Sequence, residues 1–169
     1  MTYLHTDDRL NAREEPTVRE RELLDAIDGV LAEADPPGIV QDEALWYLGT
    51  ALEGQSNLEI TMSISWDRDI ALRVLLTEDS FSIGWGGDLG EPFTFESFRS
   101  HALSIEEMKA AFMREMSRDI RVSRRRRLLG GTAEFHIRHE GVWIDLLRGG
   151  VSSKDKALGG AVREVTLLT

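Results

Sequence analysis

The chain has no cysteine among its 169 residues, which excludes a disulfide framework, a thiolate nucleophile and a cysteine-based zinc site. It also has no apolar run near the roughly 20 residues that span a bilayer, and its first residues are too polar for a secretory signal peptide. With 41% hydrophobic and 30% charged residues, it has the composition of a globular protein. We therefore expect a cytoplasmic protein with no membrane partner.

Basic residues are scarce, with 20 against 30 acidic ones and a net charge of −10. The net charge is −10 over residues 1–60, −5 over 61–117 and +5 over 118–169. The negative total disfavours nucleic acid or an anionic membrane as the partner of the whole chain. The acidic first half either complements the basic last third within one fold or attracts a basic partner.

The first 16 residues are polar, show no hydrophobic periodicity and end at Pro16. We expect residues 1–16 to form a flexible polar arm. The remaining length suits one hydrophobic core, and so the sequence predicts a single α+β domain over 17–169.

Two helices are predicted after this arm. Thr17 and Glu20 have the spacing of a capping box, in which each side chain satisfies a free backbone amide at a helix start. Apolar residues then recur at helical spacing: Leu23, Leu24, Ile27, Val30, Leu31 and Ala34. Prolines end this helix at 35–38. A second helix is predicted over 41–53, with its inward residues at Ala44, Leu45, Leu48 and Leu52.

The hydrophobic period then changes to two. Residues 58–66 and 70–76 alternate between apolar and polar, which is typical of strands with one buried face. A turn at 67–69 that places Trp66 opposite Ile70 makes every cross-strand pair apolar. A third strand follows a turn at 77–80 and is predicted to give these pairs: Leu76 with Phe81, Val74 with Ile83, and Leu72 with Trp85. The pattern predicts a three-stranded antiparallel meander, since a slip of one residue would exchange its faces.

The rest of the chain predicts one more helix and more strands. Ser104 and Glu107 form a second capping-box pattern, and a helical stripe follows: Ile105, Met108, Phe112, Met116 and Ile120. A hairpin is predicted over 133–139 and 142–148, and a last strand over 161–168. The fold class is therefore α+β with two layers, in which an antiparallel sheet, made of the meander and a C-terminal hairpin, packs against two to three amphipathic helices.

The C-terminal hairpin carries the best candidates for chemistry. Its register sets His136 opposite Asp145, and a carboxylate beside an imidazole can orient a general base. It also sets Arg138 opposite Trp143, which predicts a cation–π contact. Such cross-strand pairs are also ordinary sheet stabilisers, and no nucleophile accompanies them. A small hydrolase-like enzyme that uses His136 and Asp145 is therefore an alternative hypothesis.

Two further patterns fail as motifs. His136, His139 and Glu140 have the order H-x-x-H-E rather than the metal-binding H-E-x-x-H. The glycines of residues 84–90 lack the G-x-G-x-x-G spacing and precede no predicted helix. We predict neither a metal site nor a cofactor.

Two groups of residues are candidates for binding. A basic run of Arg124, Arg125, Arg126 and Arg127 is typical of phosphate contacts, although we place it at the carboxyl end of a helix, where cations also suit the helix dipole. A nucleic-acid-associated protein is thus a second alternative, ranked below protein binding because no base-stacking pattern accompanies the run. Trp46 and Tyr47 lie beside the stripe of the second helix, as interface aromatics do.

The sequence as a whole favours a non-catalytic, cytoplasmic protein-binding or regulatory domain. Its acidic first half suits an inhibitor or immunity-type protein that binds a basic partner protein. No recognisable catalytic, metal or cofactor motif competes with this hypothesis.

Overall fold

The computed structural model describes residues 2–7, 9–12, 15–50, 56–64, 67–87, 96–127, 130–139, 141–145, 150–151 and 161–166. The α+β class is confirmed. The chain divides into two compact units, residues 1–115 and 116–169, whereas the sequence predicts a single domain over 17–169. The strands pair within two separate sheets, of six and five strands. The described part of the chain contains no helix with the length and apolar character of a membrane span.

Helix α1, Val18–Ala34, begins at the predicted capping box. The Glu20 amide donates to the Thr17 hydroxyl at 3.3 Å, and the Thr17 amide donates to the Glu20 carboxylate at 2.7 Å. The helix ends where Asp35 adopts a left-handed conformation with φ of 40°, and the Asp35 amide donates to the Leu31 carbonyl. Five residues of the predicted apolar stripe are buried, Leu23, Leu24, Ile27, Val30 and Leu31, whereas Ala34, the last residue of the helix, is exposed.

The second predicted helix is wrong, because Ile39–Thr50 forms strand β2. Ala44 and Leu48, which suggested a helix, are both fully buried. They lie four residues apart, and residues at that spacing share one face in a strand as well as in a helix. The aromatic residues Trp46 and Tyr47 within this run favour a strand.

The predicted meander is confirmed as strands β3 (Ser56–Ile64), β4 (Asp67–Thr77) and β5 (Ser80–Gly87). Between β4 and β5 the predicted pairs are observed: Leu76 with Phe81, Val74 with Ile83, and Leu72 with Trp85. The apolar alternation therefore predicted both the parity and the exact offset of this hairpin.

Between β3 and β4 the register differs from the prediction by two residues. Met62 pairs with Leu72, whereas placing Trp66 opposite Ile70 would pair it with Val74. The parity is as predicted, since two residues are one full period of a strand. The ladder is irregular next to the turn, and irregularity of this kind changes the offset that a regular turn would give. Trp66 itself lies outside the described residues.

The six-stranded sheet has the order β1-β2-β3-β4-β5-β6. Strand β1, His5–Thr6, runs parallel to β2 at one edge, and β6, Glu96–Arg99, runs antiparallel to β5 at the other. Phe98 of β6 lies opposite Phe81, with ring centroids 6.4 Å apart. Residues 88–95, which include the end of the glycine-rich segment 84–90, lie outside the described residues.

The amino-terminal segment, expected as a flexible arm, is hydrogen-bonded to its unit. Tyr3 and Leu4 are each 4% exposed, and their amides donate to one carboxylate oxygen of Asp28 at 2.6 and 2.7 Å. Further along, the Leu48 amide donates to the side-chain oxygen of Asn11 at 2.8 Å. The segment is too short to show the periodicity by which a sequence reveals a buried element.

Helix α2, Ile105–Met116, begins at the second predicted capping box. The Ser104 amide and hydroxyl donate to the Glu107 carboxylate at 2.7 and 2.8 Å, and the Glu107 amide donates to the Ser104 hydroxyl at 3.3 Å. These hydrogen bonds, led by that of the backbone amide, hold the pKa of the Glu107 carboxyl below its usual value. The helix ends before Ile120, which the sequence placed in its stripe.

The six-stranded sheet has one buried face and one partly exposed face. The buried face supplies much of the core of residues 1–115: Leu58, Ile60, Met62, Leu72, Val74, Phe81, Ile83 and Trp85. We call the opposite face the outer face, and its partly exposed residues include Leu45, Tyr47, Glu59, Thr61, Arg73, Leu75 and Ser82. The alternation of the meander thus separates core from surface as predicted.

Residues 116–169 form an antiparallel sheet with the order β10-β9-β8-β7-β11. Its strands are β7 Asp119–Arg127, β8 Gly130–His139, β9 Val142–Asp145, β10 Gly150–Val151 and β11 Ala161–Thr166. The predicted hairpin and last strand are confirmed within the described residues, while residues 146–148, 167 and 168 of these predictions lie outside them. The placement of Arg124–Arg127 at the end of a helix is wrong, because these residues lie in β7, where no helix dipole acts on them.

Candidate functional site

Strands β7, β8 and β9 bring the predicted hairpin residues into register. The Cα partners are His136 with Asp145 and Arg138 with Trp143, as the alternation predicts. On the other side of β8, Arg121 lies opposite His136. The three strands therefore carry one cross-strand row of Arg121, His136 and Asp145.

The predicted cation–π contact of Trp143 has a different partner. The guanidinium carbon of Arg121 lies 4.2 Å from the centroid of the Trp143 ring, whereas Arg138 forms an ion pair with Asp119 at 3.5 Å. The prediction considered only the hairpin, in which Arg138 is the nearest cation. The adjacent strand β7 supplies both the carboxylate that holds Arg138 and the guanidinium that stacks on Trp143.

His136 is buried, with 4% of its side chain exposed. Its ladder partner Asp145 is described in its backbone, and the Asp145 side chain lies outside the described residues. In the described part of the chain, no group of three His, Asp or Glu side chains is placed to hold a metal ion. The catalytic role of His136 and Asp145 stays a prediction.

The four arginines at positions 124–127 occupy consecutive places in the ladder of β7 with β8. They lie opposite residues 130–133. Their position in a strand differs from the carboxyl end of a helix that the sequence suggested. The side chains of the four arginines lie outside the described residues, and their binding role stays a prediction.

Trp46 and Tyr47, the two candidate interface aromatics, lie on opposite faces of β2. Trp46 is the ladder partner of the fully buried Ile60, and Tyr47 is the ladder partner of Glu59. Both aromatic side chains are partly exposed. Only Tyr47 belongs to the outer face.

Tyr47 and Glu59 form a hydrogen-bonded pair on the outer face. Burial raises the pKa of the Tyr47 phenol far above its ordinary value of 10.0, and the hydrogen bond to Glu59 and the charge of that carboxylate raise it further. The charge of Arg73 acts in the opposite direction. The phenol therefore keeps its proton at neutral pH, and its O–H group donates a hydrogen bond to the Glu59 carboxylate.

Glu59 lies in a row of residues that crosses five strands. In spatial order the row consists of Tyr47, Glu59, Leu75, Ser82 and Ser97. The Ser82 hydroxyl donates to the Ser97 hydroxyl at 3.1 Å. Neighbouring strands lie about 4.8 Å apart, so that the row spans roughly 19 Å. Arg73 lies in the adjacent row, between Thr61 and Gly84.

Sequence analysis does not single out Glu59 or Arg73. Each is one of several polar residues at alternating strand positions, and that alternation is the signal that places both on the face opposite the core. Tyr47 cannot be joined to them while residues 41–53 are predicted as a helix. Tyr47, Glu59 and Arg73 can be recognised as neighbours only when the pairing of β2 with β3 is known.

No protein-family model matches the chain, and neither a characterised protein nor a solved structure is detectably similar to it.

Proposed function

We propose that this protein is a non-catalytic binding protein whose first unit, residues 1–115, holds a basic partner protein. The observation that carries the proposal is the excess of exposed carboxylates on this unit. Ten of its described acidic residues are exposed: Glu15, Glu22, Asp25, Glu33, Asp35, Asp42, Glu78, Asp79, Glu106 and Glu107. Four of its described basic residues are exposed: Arg9, Arg21, Arg99 and Arg114.

Two of these four exposed basic residues are engaged in local ion pairs. Arg9 contacts Asp7 at 2.9 Å, and Arg21 contacts Glu15 at 3.8 Å. In the whole sequence, residues 1–115 contain 24 acidic and 9 basic residues, while residues 116–169 contain 6 and 11. The negative charge is thus concentrated in one folded unit, and a field of this kind attracts a cationic partner and repels polyanions.

The distribution of the exposed carboxylates supports a protein as the partner. Seven of them lie on α1, on α2 and in the β4–β5 turn, and the other three, Glu15, Asp35 and Asp42, lie before α1, at its C-cap and in β2. A partner with an extended surface contacts such a distribution, because a standard protein interface covers about 800 Å² on each side. An inhibitory or immunity-type role is the form of binding that we favour, in which the complex blocks the functional surface of the partner.

Affinity capture with the full-length chain, followed by reconstitution from purified components, tests the proposal. We expect a binary complex with a basic protein whose Kd rises by about tenfold between 50 and 300 mM salt, because salt screens charged contacts. If the captured protein is an enzyme, stoichiometric binding lowers its activity. A neutral or acidic partner, a salt-independent Kd, or the absence of any reconstituted complex contradicts the proposal.

The two alternative functions stay predictions with their own tests. A hydrolase that uses His136 and Asp145 would lose its activity in the His136→Ala variant. A nucleic-acid-associated protein that uses Arg124–Arg127 would retain DNA or RNA on a filter in a salt-sensitive manner.

A further inference from the structure

The row of residues that crosses the outer face contains a side-chain pair suited to bind a cation. Tyr47 and Glu59 are ladder partners on adjacent strands, and their side chains are hydrogen-bonded. Both are partly exposed, and on the other face of the same strands the flanking residues Leu48, Leu58 and Ile60 are buried, while Trp46 is partly exposed. The pair is therefore held on a rigid support, with access from one side.

We propose that Tyr47 and Glu59 form the recognition point for an arginine or lysine side chain of the basic partner protein. This inference rests on the proposed function and specifies where on residues 1–115 the partner binds. A carboxylate has about four acceptor positions, and the Tyr47 hydroxyl fills one of them. An aromatic ring beside a carboxylate combines two attractions for a cation, the cation–π contact and the charge-assisted hydrogen bond.

The surroundings of the pair fit a protein surface rather than a small ion. Leu75 lies next to Glu59 in the same row, and the hydroxyl pair of Ser82 and Ser97 continues it. The row offers apolar and hydrogen-bonding contacts over roughly 19 Å. The surplus of exposed carboxylates on the same unit supplies the charge complementarity that identifies the occupant as basic.

The positive charge of Arg73 affects the orientation in which a partner can bind to the outer face. This charge acts on Tyr47, and Arg73 lies one row away from Glu59, opposite Thr61. A partner that presents a cation to Glu59 has to keep its cations away from the like charge of Arg73, which restricts the orientation in which the partner docks. The arrangement of Glu59 and Arg73 should therefore give different affinities for different basic proteins.

Binding of a labelled deca-arginine peptide to the full-length chain, measured by fluorescence anisotropy at 50 mM salt, tests the inference. We expect Glu59→Gln to raise the Kd by about fivefold or more, and Tyr47→Phe to raise it by about twofold to fivefold. The matched control is Glu164→Gln, which removes the same charge from β11 in residues 116–169, outside the proposed binding unit, and should change the Kd by less than about twofold.

The failures of the two proposals are distinguishable. If deca-arginine binds in a salt-sensitive manner but Glu59→Gln behaves like Glu164→Gln, the recognition point is wrong and the acidic binding unit stands. If deca-arginine does not bind at all, both proposals fail. Should Glu59→Gln not fold, the amide chemical shifts of the unmodified protein decide, since peptide binding should move those of residues 45–47 and 59–61 more than those of α1.

Discussion

Gly49 leaves room for the side chain of Asn57 on the neighbouring strand. A methyl group at position 49 would lie 2.6 Å from the Oδ1 atom of Asn57, and Asn57 is only 9% exposed. The amide therefore has little space in which to withdraw. We expect Gly49→Ala to lower the free energy of unfolding by about 1–3 kcal/mol, the usual cost of overpacking. Urea unfolding followed by circular dichroism measures the change.

Gly29 provides the control for this substitution. It lies in the interior of α1, is exposed, and a methyl group there would meet no atom within 4 Å. Gly29→Ala should raise the free energy of unfolding by about 0.5–1 kcal/mol, because alanine loses less backbone freedom in a helix. If both substitutions shift stability in the same direction, the steric explanation for Gly49 is wrong.

The two tyrosines of the chain should both ionise above the usual pH. Burial raises the pKa of Tyr3, with a smaller contribution from the charge of Asp35, and it also raises that of Tyr47. Absorbance at 295 nm should show midpoints above 10 in the folded protein and a midpoint near 10 in urea. Because the folded pKa values are the higher ones, this contribution to stability is complete below pH 10 and is lost as the pH rises further. A folded-state midpoint at 10 would contradict the burial of both phenols.

At the scale of elements, the amino-terminal segment depends on one carboxylate of α1. Asp28 accepts hydrogen bonds from the amides of Tyr3 and Leu4, and bonds to a charged acceptor contribute about 1.5–3 kcal/mol each. Asp28→Ala leaves both amides without this acceptor. We expect a loss of about 3 kcal/mol in stability, the lower end of the range for two such bonds, and faster amide exchange at residues 3–6, measured by hydrogen–deuterium exchange with mass spectrometry.

Asp25→Ala is the matched control for this variant. It removes one carboxylate from an exposed position of the same helix, and its effect on residues 3–6 should be small. Equal exchange rates in the two variants would show that Asp28 does not hold the segment.

Elements encoded by local patterns were predictable, whereas those set by distant partners were not. Both capping boxes join residues three positions apart, and both helices begin where the sequence places them. Strand β2 was mistaken for a helix because Ala44 and Leu48 fit either period. The pair of Tyr47 and Glu59 depends on the pairing of β2 with β3, and the sequence of one strand does not specify the residue opposite each position.

At the scale of the whole molecule, charge is divided between the two compact units. The sequence already showed an acidic first half and a basic last third. The structure adds that the boundary between the units, at residues 115 and 116, nearly coincides with the change of sign. The net charge is −15 for residues 1–115 and +5 for residues 116–169. The overall value of −10 therefore understates the field around the first unit.

This field and the outer face should control different steps of binding. Long-range charge mainly changes the association rate, whereas short-range contacts mainly change the dissociation rate. We expect the triple variant Glu22→Gln, Asp25→Asn and Glu33→Gln to slow association with deca-arginine by about twofold to fivefold at low salt. Its dissociation rate should stay nearly unchanged. Stopped-flow fluorescence measures both rates.

Glu59→Gln should have the opposite kinetic effect and serves as the comparison. Glu59→Gln removes only a small part of the total negative charge, and association should therefore change little. It also removes one of the proposed direct contacts with the peptide, and dissociation should therefore accelerate. At 300 mM salt, screening should remove the association defect of the triple variant and leave the dissociation defect of Glu59→Gln. If the triple variant instead accelerates dissociation as much as Glu59→Gln does, the exposed carboxylates of α1 contact the peptide directly, and the division between attraction and recognition is wrong.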